Sequence, residues 1–224
     1  VIDLKPSAIE TRALHFRSES VCSTPASALH ALRRVWAYIE QTNAWLLEQH
    51  LEKVPENSPR LIIVCDEAAE LGYDDDGKEA AQLLQRIVAV GRASGISVIL
   101  ATQKPSGSVI PTDLRDLFSQ RLCFRVGNRA QAETVLGPLP EGVEPWNIPR
   151  ELPGTGFAIG TTGDPSAVRF RTYALSAEQR ATEAGALVMD YIEAGSPHYL
   201  PGVVPPPVAD DTDDDKPKQR RRRR

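Results

Sequence analysis

The sequence predicts an α/β fold, a mostly parallel sheet flanked by helices, and three observations predict it. Short apolar runs recur at "RLIIVCDE" (60–67), "ISVILATQ" (96–103) and "RLCFRV" (121–126). They are apolar throughout rather than alternating, as strands buried on both faces are. Segments with apolar residues at helical spacing separate them, and strand–helix alternation is the pattern of a parallel sheet covered on both faces.

Each element has its own local reason. Residues 1–4, "VIDL", read as the end of a strand. A helix is expected over 25–49, with Thr24 as N-cap, Pro25 in the first turn, and Leu29, Leu32, Trp36, Ile39 and Leu46 at roughly helical spacing. The 60–67 strand follows, then a helix over 78–94 with Ala81, Leu84, Ile87, Val88 and Gly91 on one side. After the 96–103 strand come a short helix at 111–118, the 121–126 strand and a short helix at 129–136. Beyond residue 137 the pattern changes. "PLPEGVEPWNIP" is a Pro-rich loop, and "GTGFAIGTTGDPSAVRFRTYAL" reads as a β-hairpin around a Gly-Asp-Pro turn. A C-terminal helix over 176–194 is capped by Ser176 with Glu178 nearby. From residue 196 to 224 the chain is Pro-rich, then acidic, then basic, a composition that predicts disorder.

Composition limits the function classes. Of 224 residues, 41% are apolar and 25% charged, enough to bury a sizeable core. No apolar run reaches the roughly 18 residues of a membrane span, and the N-terminus has no signal-peptide pattern, so a cytoplasmic setting is expected. The chain opens at Val1 on an apolar stretch without an initiator Met, and is expected to be cut from a longer protein inside a domain. Cys22, Cys65 and Cys123 are odd in number, widely spaced and without a C-x-x-C pair; free buried thiols are expected. The net charge of −4 hides a split between "DDTDDD" (210–215) and "KPKQRRRRR" (216–224). Without those segments the body keeps 19 basic and 25 acidic residues, so any DNA-binding surface must be local. The Arg-rich end is open to two readings, phosphate neutralisation on nucleic acid or a solubilising or localisation end.

"GYDDDGKE" (72–79) nearly matches the phosphate-binding loop G-x-x-x-x-G-K-[ST]. Glu79 stands where Ser or Thr would hold magnesium, and Asp74, Asp75 and Asp76 would repel the phosphates such a loop cradles. The match is accidental on this reading. The stronger signal lies just before it. "LIIVCDEAAEL" (61–71) delivers Asp66 and Glu67 to the carboxyl edge of a parallel sheet, where ligands of open α/β folds bind. Asp66 suits a water-mediated Mg²⁺ contact and Glu67 a general base toward an attacking water. The plain alternative is two solvated acids ending an ordinary strand. "VILATQ" brings Thr102 and Gln103 to the same edge about 36 residues later, and an amide there can sense a γ-phosphate. The combination is more specific than either part.

In order, "VIDLK", "RLIIVCDEAAEL", "RIVAVGRASGISVILATQKPS", "VIPTDLRDLFSQRLCFRV" and "RAQAETVLG" resemble the FtsK/SpoIIIE family of DNA-pumping ATPases, over roughly residues 1–175. "GRASGISVILATQKPS" is the most distinctive part. The "LRDLF" stretch and the following hairpin are most similar to actinobacterial conjugative-element translocases. The resemblance implies a RecA-like P-loop NTPase core, with residues 1–195 as the C-terminal part of the ATPase domain and the phosphate loop lying before "VIDLK". It implies ATP and Mg²⁺ as cofactors, double-stranded DNA as partner and a homo-hexamer. Asp66 and Glu67 match the Walker B pair, Gln103 the sensor with Thr102 beside it at the nucleotide, and Arg92 a finger reaching the neighbouring subunit's ATP. Without the family, Arg92 reads as a solvated cation near a helix C-terminus. Residues 104–120 match the pore-facing segment, with Lys104, Ser106, Ser108 and Arg115 as DNA-phosphate contacts. No membrane contact is expected from this segment, while the full-length protein is a candidate for anchoring at the inner face of the cell membrane. By itself the piece is expected to bind and hydrolyse ATP poorly. Two other readings stay open: a type VII secretion-like ATPase exporting protein, and a non-catalytic binding or regulatory subunit.

Overall fold

Thr24 and Pro25 open the first helix as the sequence predicts. In the computed structural model, which describes residues 1–5, 11, 18, 20–161, 166–176, 178, 179 and 182, Thr24 Oγ1 accepts the Ser27 N–H at 3.2 Å and Ser27 Oγ accepts the Thr24 N–H at 3.1 Å. This reciprocal box satisfies two backbone donors that a helix start leaves orphaned. The helix, α1, runs Pro25–Glu48 and buries Ala28, Leu29, Leu32, Tyr38, Ile39 and Leu46 along one stripe.

Strands β1 (Ile2–Asp3), β2 (Leu61–Asp66) and β3 (Ile96–Leu100) form a parallel sheet in that order. Asp3 lies level with Asp66, and Cys65 with Leu100. Helix α2 (Asp75–Val90) connects β2 to β3. It packs with α1 on the sheet face carrying Ile63, Cys65 and Ile96, and one apolar cluster joins all of these. A fully buried aliphatic side chain such as Ile39 or Ile87 contributes about 2 kcal/mol by leaving water. The α/β reading therefore holds, with the parallel sheet flanked by helices. Cover on both faces does not extend through the described residues: Ile62 and Ile99, on the opposite face, are 57% and 55% exposed. Among those residues no helix is long and apolar enough to cross a membrane.

Helix α2 starts three residues before the sequence places it, and "GYDDDGKE" is the reason. Asp74 is its N-cap and accepts the Gly77 N–H at 2.7 Å, while Asp75 and Asp76 occupy the first turn. The acids thus sit at the positive end of the helix dipole, where an anion is favoured. They fill the place that a phosphate takes in a true loop. Gly77 is required there because a Cβ would collide with the Leu71 carbonyl oxygen.

The remaining described elements form a second unit. Helix α3 (Thr112–Leu117) leads to β4 (Arg121–Phe124), and α4 (Arg129–Leu136) follows with Asn128 accepting the Gln131 N–H as cap. β4 does not join the parallel sheet. It pairs antiparallel with β5 (Thr155–Ile159), which pairs antiparallel with β6 (Val168–Arg171). Cys123, Ala132, Leu136, Val143, Ile148 and Phe157 make a separate buried cluster here. The predicted hairpin is β5–β6, and its Gly163-Asp164-Pro165 turn lies outside the described residues. Ser176 does cap: its Oγ accepts the Gln179 N–H at 3.1 Å, and Gln179 rather than Glu178 answers it. Most of the 176–194 helix and the 196–224 tail lie outside the described residues.

All three cysteines are free and buried, as expected. Burial pushes the Cys65 thiol up to about 12 and the Cys123 thiol up to about 11. Both stay protonated and unreactive at neutral pH.

Candidate functional site

Three parallel strands end at one edge, and each delivers a polar side chain or backbone group there. β1 brings Asp3 and Lys5, β2 brings Asp66 and Glu67, and β3 is followed by Thr102 and Gln103. The edge is sewn together by backbone bonds: Ala101 N–H to Cys65 O at 2.9 Å and Ala68 N–H to Ala101 O at 2.8 Å.

Glu67 is the most constrained member. It is buried, 5% exposed, and its backbone adopts the left-handed conformation at φ 56° and ψ 66°. That conformation is uncommon for a residue with a side chain, and it survives only where surroundings hold it. Here Thr102 Oγ1 donates to Glu67 Oε1 at 2.6 Å, and the Gln103 N–H donates to Oε1 at 3.2 Å and Oε2 at 3.0 Å. A buried carboxylate is tolerable because these donors replace water. The turn also lifts Glu67 off the strand line, so the two adjacent acids do not simply alternate faces.

Asp66 is held from the other side. Lys5 Nζ lies 2.9 Å from Asp66 Oδ2, with side chains 18% and 20% exposed. Lys5 is in turn placed by Asp3, which is fully buried, accepts the Lys5 N–H at 3.2 Å and accepts the Thr11 hydroxyl. The sequence reading quoted "VIDLK" but assigned Asp3 and Lys5 no part. Register could have flagged them, because charged residues two apart at the end of an apolar strand fall at the same edge as Asp66.

Asp66 suits a magnesium ion in one respect. Among the described residues no group of three or more His, Cys, Asp or Glu could hold a metal. Mg²⁺ in phosphoryl-transfer sites needs no protein cage: it takes one or two carboxylates, waters and the substrate's phosphates. One carboxylate, partly open to solvent and with Oδ2 paired to Lys5, offers Oδ1 to that donor set.

The other predicted residues are dispersed. Gln103 is exposed, and its backbone N–H, not its side-chain amide, makes the contact to Glu67. Arg92 is exposed beyond the C-terminus of α2, before β3 begins. β3 spans about 16 Å at five residues, and Glu67 stands at its far end, so Arg92 does not belong to the same site within one chain. Lys104, Ser106 and Ser108 are exposed on the loop after Gln103, where the two serine hydroxyls are 2.9 Å apart. Arg115, on α3, is turned inward. Its side chain is 15% exposed, Nε donates to Asp116 Oδ1 at 2.8 Å, and a terminal nitrogen reaches Glu133 O at 3.4 Å. That pairing holds the Asp116 carboxyl below its ordinary range, the hydrogen bond from Arg115 being the main cause.

The comparisons with known proteins meet this geometry. No family model matches the chain. The DNA translocase FtsK of Helicobacter pylori is 32% identical over 127 residues, 52% of this chain and 15% of that protein. This likeness falls in the same family that the sequence motifs resemble, the FtsK/SpoIIIE-type ATPases. Two solved structures share its fold. The pCW3 conjugation coupling protein TcpA superposes with a TM-score of 0.66 at 20% identity, covering 83% of this chain and 55% of that one. EssC from Geobacillus thermodenitrificans, ATPases 2 and 3, gives 0.67 at 13% identity, covering 92% of this chain and 40% of the other. The chain spans a minor part of the curated translocase it matches.

Proposed function

We propose that this chain is part of an ATP-driven translocase of double-stranded DNA, serving conjugative transfer or chromosome segregation. The observation that carries the reading is the strand-end edge, where Asp66 and a buried Glu67 stand beside Thr102 and Gln103. When bound, Mg²⁺–ATP supplies the transferable phosphoryl group, and Asp66 would hold the metal through a water. Glu67 orients a water and accepts its proton. The Gln103 side chain, exposed next to Glu67, is free to turn toward a γ-phosphate. Arg92 lies at the opposite end of β3 from Glu67, and that supports supply in trans, from one subunit to its neighbour's nucleotide within a homo-hexamer. Lys104, Ser106 and Ser108 are exposed on one loop and suit sequence-independent phosphate contacts. Arg115 would have to leave Asp116 to make one. The working motor is the full-length protein, cytoplasmic and at the inner face of the membrane if it carries an anchor.

The test is DNA-stimulated ATP hydrolysis by the full-length protein. Glu67→Gln is expected to lower turnover by at least about a hundredfold, the loss typical of a general base. Turnover within twofold of wild type would sink the reading. A protein-exporting role is the second reading, since a Type VII secretion ATPase, EccC of Thermomonospora curvata, has the same fold. DNA affinity separates the two, since a DNA motor binds without sequence preference and loses affinity steeply as salt rises.

A further inference from the structure

A general base works through one lone pair, and the contacts around Glu67 show which one is open. Oε1 accepts both the Thr102 hydroxyl at 2.6 Å and the Gln103 N–H at 3.2 Å. Oε2 accepts the Gln103 N–H at 3.0 Å. A carboxylate oxygen accommodates two hydrogen bonds. Among the described residues Oε1 is therefore filled, while Oε2 keeps one site. The Thr102 hydroxyl has its own direction fixed. Its oxygen accepts the Lys104 N–H at 3.1 Å, so its single proton points at Glu67. The backbone gives a second reason for such a hold. Glu67 sits in the left-handed conformation and begins the turn Ala68–Gly72, so its side chain leaves the sheet at an angle that no strand geometry enforces. Two donors 35 and 36 positions away, the Thr102 hydroxyl and the forked Gln103 N–H, set that angle.

We propose that Thr102 is a positioning residue, which locks Oε1 of Glu67 so that Oε2 is the oxygen presented to the attacking water. Thr102 thereby acts through Glu67 rather than on the nucleotide. Lys104 N–H completes the chain, so the start of the exposed 104–108 loop is coupled to the orientation of the base. A movement of that loop that withdraws Lys104 N–H frees the hydroxyl to rotate away from Glu67. The proposal rests on the base role argued above for Glu67.

The experiment compares Thr102→Val, which keeps the shape and removes the hydroxyl, with Thr102→Ser, which keeps the hydroxyl, in the full-length ATPase. Thr102→Val is expected to lower kcat about tenfold or more, the worth of one hydrogen bond to a charged group, with KM for ATP within about twofold. Thr102→Ser should recover most of that loss. Equal losses in both variants, or none in Thr102→Val while Glu67→Gln is inactive, would overturn the positioning role and leave the base intact. Full turnover in Glu67→Gln would instead remove the base, and the proposal with it. Should Thr102→Val melt below the assay temperature, hydrogen exchange at the Gln103 amide decides. Protection about tenfold lower in Glu67→Ala than in wild type supports the clamp, and unchanged protection overturns it.

Discussion

Two of the positive-φ positions, one in each unit, reach that conformation for opposite reasons. In the antiparallel unit it is Gly160, at φ 74°, where the chain leaves β5 and passes against the Ser119 carbonyl. In the parallel unit it is Glu67, at φ 56°, at the end of β2. The first turn uses the residue that adopts it without strain. The second keeps a carboxylate there and surrounds it with donors from the next strand. At Gly160 only geometry is needed and the sequence supplies glycine; at Glu67 it keeps the side chain and holds the strain in place. The two sheets also differ in how their strands end. Parallel strands all end at one edge and collect polar groups there. Antiparallel β4, β5 and β6 end at alternating edges, so their polar ends are never gathered.

The largest effect expected from breaking this division is in the cores. Leu32→Ala and Leu136→Ala, in the two separate buried clusters, should each cost about 3 kcal/mol by denaturant titration. Local hydrogen exchange sharpens the point. The first variant should loosen β2 and β3 more than β5, and an equal rise in both units would show that they open as one. Next come the two left-handed turns. Gly160→Ala should cost about 1–3 kcal/mol, since its Cβ meets backbone that cannot yield. Glu67→Gly should change stability by less than about 1 kcal/mol, relief of strain offsetting lost hydrogen bonds. A Glu67→Gly loss as large as that of Gly160→Ala would refute the claim that strain is stored at the active edge. A local effect is expected at the start of α2. Asp74→Ala should cost about 1 kcal/mol through loss of the cap to Gly77, measured as a fall in Tm.

Much of this was legible because it is local. The Thr24–Ser27 cap, the apolar stripe of α1 and the strand ending in Asp66-Glu67 depend on residues close in sequence. Thr102 and Gln103 were found at the same edge because parallel strands must end together. What the sequence hides is pairing across distance and backbone handedness. The Lys5–Asp66 contact spans 61 positions, and nothing in "VIDLK" names its partner. The left-handed turn at Glu67 leaves no mark, because glutamate is a residue that rarely adopts it. The start of α2 was misread for a different reason. Three acids repel a phosphate, and the same three charges stabilise a helix N-terminus. β4 looked like another parallel strand because an apolar run of four residues does not state its direction.

The uncovered sheet face carries a practical meaning. Among the described residues β3 is an outer strand of its sheet, and its Ile99 and the neighbouring Ile62 are more than half exposed. An outer strand next to a greasy, flat surface is a template for unwanted edge-to-edge pairing between molecules. In concentrated solution this chain alone should therefore behave as a sticky colloid, and its solubility is decided by that face more than by its surplus of negative charge.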